Sequence, residues 1–158
     1  MSELITERVC AEIDGEIVVF LIGMRINRPW KIWKWLPVLR AMAAMLKELA
    51  AHPELGMLSV SLHFDPRGAS MVQYWRSAEH LRSYAHGAAH LPAWRTFNRR
   101  IGTGGDVGIW HETYVVPPGN RKSIYVNMPR HGLGLAGTLF PAKGDRATAA
   151  KRLASNSG

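Results

Sequence analysis

The chain has 158 residues, 47% of them hydrophobic and 20% charged, which suits one globular domain with a buried core. The formal charge is +8, but the cations form no continuous stripe and no recognised motif, so a nucleic-acid partner is not expected. No apolar run approaches the ~20 residues of a membrane span, Met1-Ser2-Glu3-Leu4 lacks a secretory pattern, and the lone Cys10 rules out an intrachain disulfide, so the expectation is a cytoplasmic protein with no integral membrane segment.

Residues Ile17 to Ile26 are rich in β-branched and apolar types. They predict a central strand buried on both faces. Arg28 to Ala51 predicts a helix, with a break or kink at Pro37 and the better helix from Val38 onward. Pro53 and Gly56 end it. Among Lys31 and Lys34 stand Trp30, Trp33 and Trp35. Such a mixture can mark an interfacial helix, but the favoured reading buries the indoles against the sheet, or at a dimer contact, and leaves the lysines in solvent.

Leu58 to Phe64 alternates, Asp65-Pro66-Arg67-Gly68 is a turn, and Ala69 to Trp75 returns. That predicts a hairpin. Ser77 suits an N-cap for a helix from Ala78 to about Tyr84. Gly87 interrupts, and Leu91 to Ile101 continues as a second helical segment. After Gly102, Gly104 and Gly105 comes a strand from Val107 to Val116, then a short one from Ser123 to Asn127. The order strand, helix, strand, strand, helix, strand is the split βαβ pattern. The fold class is therefore α+β, a ferredoxin-like antiparallel sheet with helices on one face. Residues 1–136 form this domain. Residues 137–158, with few large apolar groups, are expected to be a disordered basic tail.

Tyr74-Trp75-Arg76-Ser77, His90-Leu91-Pro92-Ala93-Trp94-Arg95-Thr96-Phe97-Asn98, Gly108-Ile109-Trp110-His111-Glu112-Thr113-Tyr114 and Tyr125-Val126-Asn127-Met128-Pro129 resemble a monooxygenase-like family, once a domain of unknown function. Gly23-Met24-Arg25 and Trp35-Leu36-Pro37 fit the same pattern. The resemblance runs from about Phe20 to Leu135. It implies a branch of the dimeric α+β barrels, in which two ferredoxin-like sheets face each other across a homodimer. Each subunit keeps a pocket between its sheet and its helices. Relatives include cofactor-free quinone-forming monooxygenases, haem-degrading monooxygenases and haem-dependent aldoxime dehydratases. Fold follows from such a likeness more firmly than reaction does.

Alternation along Val107–Val116 separates Trp110, Glu112 and Tyr114 from Ile109, His111, Thr113 and Val115. The second set is more apolar and is expected to face inward, which would bring His111 to the pocket. His86 and His90 are four apart, but Gly87 and Pro92 make a regular helix face doubtful, and no metal motif links them to a third ligand. No metal site is expected. His90, Trp94 and Phe97 form a stripe that serves equally as core or as pocket wall. Arg25 could anchor an anionic group by paired donors, or be a surface arginine. In the haem-degrading relatives a tryptophan at the strand-to-helix position packs on haem, and a histidine of the next helix is the axial ligand. The resemblance would give these roles to Trp75 and to His86 or His90.

The sequence leaves three functions open. The first is a small-molecule oxygenase on an apolar or aromatic metabolite, without cofactor, with His90 or His111 as base and Arg25, Trp75, Trp94 and Phe97 holding substrate. The second is a haem enzyme of the same fold, with His86 as a possible ligand. The third is a non-catalytic ligand-binding dimer.

Overall fold

The computed structural model describes residues 3–87 and 90–151. The chain forms β1 (Val9–Glu12), β2 (Ile17–Ile26), α1 (Ile32–Ala51), β3 (Met57–Asp65), β4 (Gly68–Trp75), α2 (Ala78–Ala85), α3 (His90–Ile101), β5 (Val107–Val116), α4 (Leu133–Ala136) and β6 (Thr138–Pro141). Strands β3, β4, β2 and β5 lie side by side in that order. Every neighbouring pair is antiparallel. This is the ferredoxin-like sheet, with β2 in its interior. No helix among the described residues is long and apolar enough to cross a membrane.

Strand alternation sorts the core. Val18, Phe20, Ile22, Met24 and Ile26 of β2 face the helices. Met24 packs with Met71, Val107 and, from α1, Val38 and Met42. Val18, Leu49 and Trp75 form a second buried cluster near the other end of α1. Each such side chain contributes roughly 1.5–3 kcal/mol by leaving water. The middle of β2, from Val19 to Ile22, is only half-buried. A cavity adjoins one face there, and the other face of the sheet is uncovered.

Pro37 neither breaks nor ends α1, which runs unbroken through it. The helix starts at Ile32, so Pro37 stands in its second turn and removes only one intrahelical donor, the one that would reach the Trp33 carbonyl. Of the three neighbouring indoles only Trp35 turns inward. It packs against the core and its Nε1 donates to the Pro29 carbonyl at 2.9 Å. Trp33, two residues earlier, points about 200° away around the helix, and Trp30 precedes α1; both are exposed.

The strand expected at Ser123–Asn127 is not formed. Only two isolated bridges pin this stretch, Val9 to Tyr125 and Ile5 to Met128, because Asn127 adopts the left-handed region with φ 53° and ends the extended run. The segment expected to be a tail from residue 137 contains a strand, β6, and a single helical turn at Gly144–Arg146. Within it β6 pairs antiparallel with β1, a strand the sequence reading did not contain. Together they cover one end of the sheet's second face, over Ala11, Ile17 and Leu133. Arg146 grips Glu12 through two hydrogen bonds of 2.5 and 3.0 Å and lies 4.5 Å over the Phe140 ring. The last seven residues, 152–158, lie outside the described part.

Candidate functional site

A cavity of about 470 Å³ opens between the helix-facing side of the sheet, α1 and the α2–α3 pair. That volume lies within the range of small-molecule sites. Its floor follows from strand register. Gln73 and Thr113 flank Phe20 in one row; Met71 and His111 flank Ile22 in the next. Met42, Met45, Leu46 and Leu49 form the α1 wall, and Tyr84, His90, Trp94 and Phe97 the opposite one. The α1 residues recur at three- and four-residue spacing, which is why one helix face supplies them.

The helical wall owes its position to two local devices. Ser77 caps α2, its Oγ accepting from the His80 backbone N–H at 3.2 Å. Pro92 stands in the first turn of α3, where a missing N–H leaves no helix bond unmade.

His90 is partly buried, and its Nδ1–H donates to the Ala85 carbonyl at 3.1 Å. A carbonyl can only accept, so the neutral ring carries its proton on Nδ1 and keeps a lone pair at Nε2. Its ring centroid is 4.7 Å from that of Tyr84, which in turn is 5.6 Å from Trp75. The Tyr84 hydroxyl donates to Glu48 at 3.3 Å. Burial first, and Glu48 second, push this phenol far above its ordinary pKa, so Tyr84 stays a neutral donor at working pH. His86 is exposed at the rim, with Nδ1–H donating to the Arg82 carbonyl at 2.9 Å. By the same logic its Nε2 is also an open lone pair.

Gln73 is the buried polar residue of the floor. Its Oε1 accepts from Trp75 Nε1 at 2.9 Å. An indole N–H only donates, so this bond fixes the amide orientation and leaves the NH₂ as a donor at the cavity. Trp75 itself is almost wholly enclosed. It holds Gln73 and Tyr84 in place more than it offers its own face.

The expected site residues therefore divide. His86, His90, Trp75, Trp94, Phe97 and His111 all line the cavity. His111 lies on the inward face with Ile109 and Thr113, as alternation requires, and its ring is 5.8 Å from Phe20. Phe97 also packs on the core cluster, so the stripe is wall and core at once. Arg25 is not brought to this cavity. It falls between the inward Met24 and Ile26, so it points to the other face, where its Nε donates to Asn27 at 3.2 Å. Sequence reasoning missed Gln73 and Tyr84. The signal for Gln73 was present as a polar residue at an inward position of an alternating strand, between Met71 and Trp75. Among the described residues no three His, Cys, Asp or Glu side chains converge to hold a metal.

Residues 17–133 match the family described as monooxygenase af470-like. The chain belongs to this family. Monooxygenase af470 of Aspergillus fumigatus is 28% identical over 149 residues, covering 80% of this chain and 53% of that protein. The chain thus spans about half the length of the curated relative it matches. Among solved structures, an aldoxime dehydratase (OxdRE) in complex with butyraldoxime aligns with a TM-score of 0.68 at 18% identity, over 86% of this chain and 43% of that one. Another aldoxime dehydratase gives 0.66 at 15% identity, over 96% and 44%. At these identities the likeness shows the fold. It agrees with the ferredoxin-like strand order of the sheet.

Proposed function

We propose that this family member is an oxygenase acting, without cofactor, on an apolar or aromatic small molecule bound in the 470 Å³ cavity. The observation that carries the reading is His90, whose Nε2 is held as a lone pair beside a mainly aromatic and aliphatic cavity. A phenolic substrate lying between Phe20 and the Trp94 wall would give its proton to that nitrogen. The Gln73 amide would donate to the resulting oxyanion. The phenolate, now electron-rich, is oxidised by O₂: one oxygen atom enters the ring as a quinone carbonyl and the other leaves as water. His111 is the second base within the same floor. The chain works as a homodimer, because the outer sheet face leaves Trp110 and Tyr114 exposed.

The test is oxygen uptake with a panel of phenols. His90→Ala should lower turnover by at least ~10²-fold while circular dichroism stays unchanged. Undiminished activity in the variant would remove His90 from this role.

A specific observation also favours a haem-binding reading. Histidines that hold iron or other metals commonly donate their second ring N–H to a backbone carbonyl, and both His86 and His90 do so. Either Nε2 could hold haem iron beside the apolar wall; haem would supply redox or Lewis-acid chemistry there, and the cavity residues would orient the substrate. Adding hemin and recording the visible spectrum separates the two readings. A sharp Soret band that weakens in His86→Ala or His90→Ala supports haem and names the ligand. A spectrum of free hemin supports the cofactor-free enzyme.

A further inference from the structure

The segment Arg28-Pro29-Trp30-Lys31-Ile32-Trp33-Lys34 alternates large apolar and cationic side chains. Its apolar members face water: Trp30 is 68% exposed, Ile32 51% and Trp33 67%. Single exposed apolar residues are ordinary, but three within four positions at one corner are not. Phe64, 72% exposed, lies by the hairpin turn at the same end of the sheet. The hydrogen bond from Ile26 N–H to the Arg67 carbonyl, 2.6 Å, sets that turn beside the chain leading into α1.

The charge of this corner is net positive. Arg25, Arg28, Lys31, Lys34 and Arg67 stand here against Asp65 and Asp106. Asp106 reaches in and pairs with both Arg28 and Lys31. Two cations against one carboxylate still leave the corner positive, and Lys34 adds to it.

We infer that this corner docks on the surface of a bilayer containing anionic lipid. Indoles settle at the headgroup level, where an apolar body and an N–H are both satisfied. The neighbouring lysines and arginines extend to the lipid phosphates and carboxylates. Charge complementarity selects an anionic surface over a neutral one. The inference uses no cavity residue and stands whether or not the oxygenase reading holds.

The full chain would be sedimented with phosphatidylcholine–phosphatidylserine vesicles and, separately, with pure phosphatidylcholine vesicles. Binding is expected to the first, weakening as salt is raised. Lys34→Gln should lose roughly fivefold in partition, the equivalent of one basic contact. The double variant Trp30→Ser/Trp33→Ser should lose most of the bound fraction, with an unchanged circular dichroism spectrum because both side chains are exposed. Equal binding to both vesicle types, or an unaffected double variant, would overturn the inference. So would a double variant that only lowers the oligomeric mass in light scattering while no vesicle binding occurs, since the patch would then be a contact between copies.

Discussion

Asp106 illustrates how one side chain can join distant parts of the chain. Its carboxylate accepts from Arg28 at 2.7 Å and Lys31 at 2.9 Å, and its backbone carbonyl accepts from the Asn27 N–H at 3.0 Å. The start of β5 is thereby tied to the approach to α1. The Lys31 ammonium foremost, then Arg28, holds the carboxyl below its usual range, against the opposing pull of burial. A lowered folded-state pKa means stability that is present above the unfolded value, about 3.9, and is lost as pH falls through the folded one. Asp106→Asn should therefore melt lower than the native chain at neutral pH. That gap should narrow below about pH 4; a gap independent of pH would refute the assignment. None of this was legible in the sequence, because a lone Asp after three glycines gives no sign of cations 75 and 78 residues away. His90, by contrast, was legible as a site candidate because a histidine at the head of an aromatic stripe is unusual. Its tautomer was not, since that depends on where the Ala85 carbonyl points.

Among the elements, α2 is the most dependent on a single device. It has eight residues and none of them is fully buried, so its packing gain is small and its cap matters. Ser77 accepts from the His80 N–H and also bonds the His80 ring at 2.7 Å. Ser77→Ala should cost about 1 kcal/mol in urea unfolding, and Ser77→Asp should recover most of it. Because α2 carries Tyr84, the alanine variant should also weaken binding of any cavity ligand; an unaltered midpoint would show that the cap is redundant. The helix start was legible because Ser77, directly before Ala78, is a residue type that suits an N-cap. The continuity of α1 was not: Pro37 reads as a break until the helix start is known, and that start depends on the turn that Arg28 and Lys31 make around Asp106.

For the whole molecule, the ferredoxin-like frame was legible because its central strand is a continuous apolar run, Leu58–Phe64 and Val107–Val116 alternate, and its turns carry Gly and Pro. The β1–β6 ribbon was not, for a physical reason. Each of these strands is four residues long, and neither shows a pattern until the other is beside it. A chain ending at residue 137 should consequently be destabilised, and Cys10, now buried under Phe140 and its neighbours, should react rapidly with a thiol reagent. An equally slow reaction in both chains would mean that the ribbon does not shield β1. The same ribbon has a consequence in time. Val9 pairs with Pro141, so synthesis must pass residue 141 before this contact can exist. Closing so long a loop is entropically costly until the intervening sheet has drawn its ends together. The ribbon should then be the last part to form in refolding and the first to admit deuterium, a seam that closes over a sheet already made.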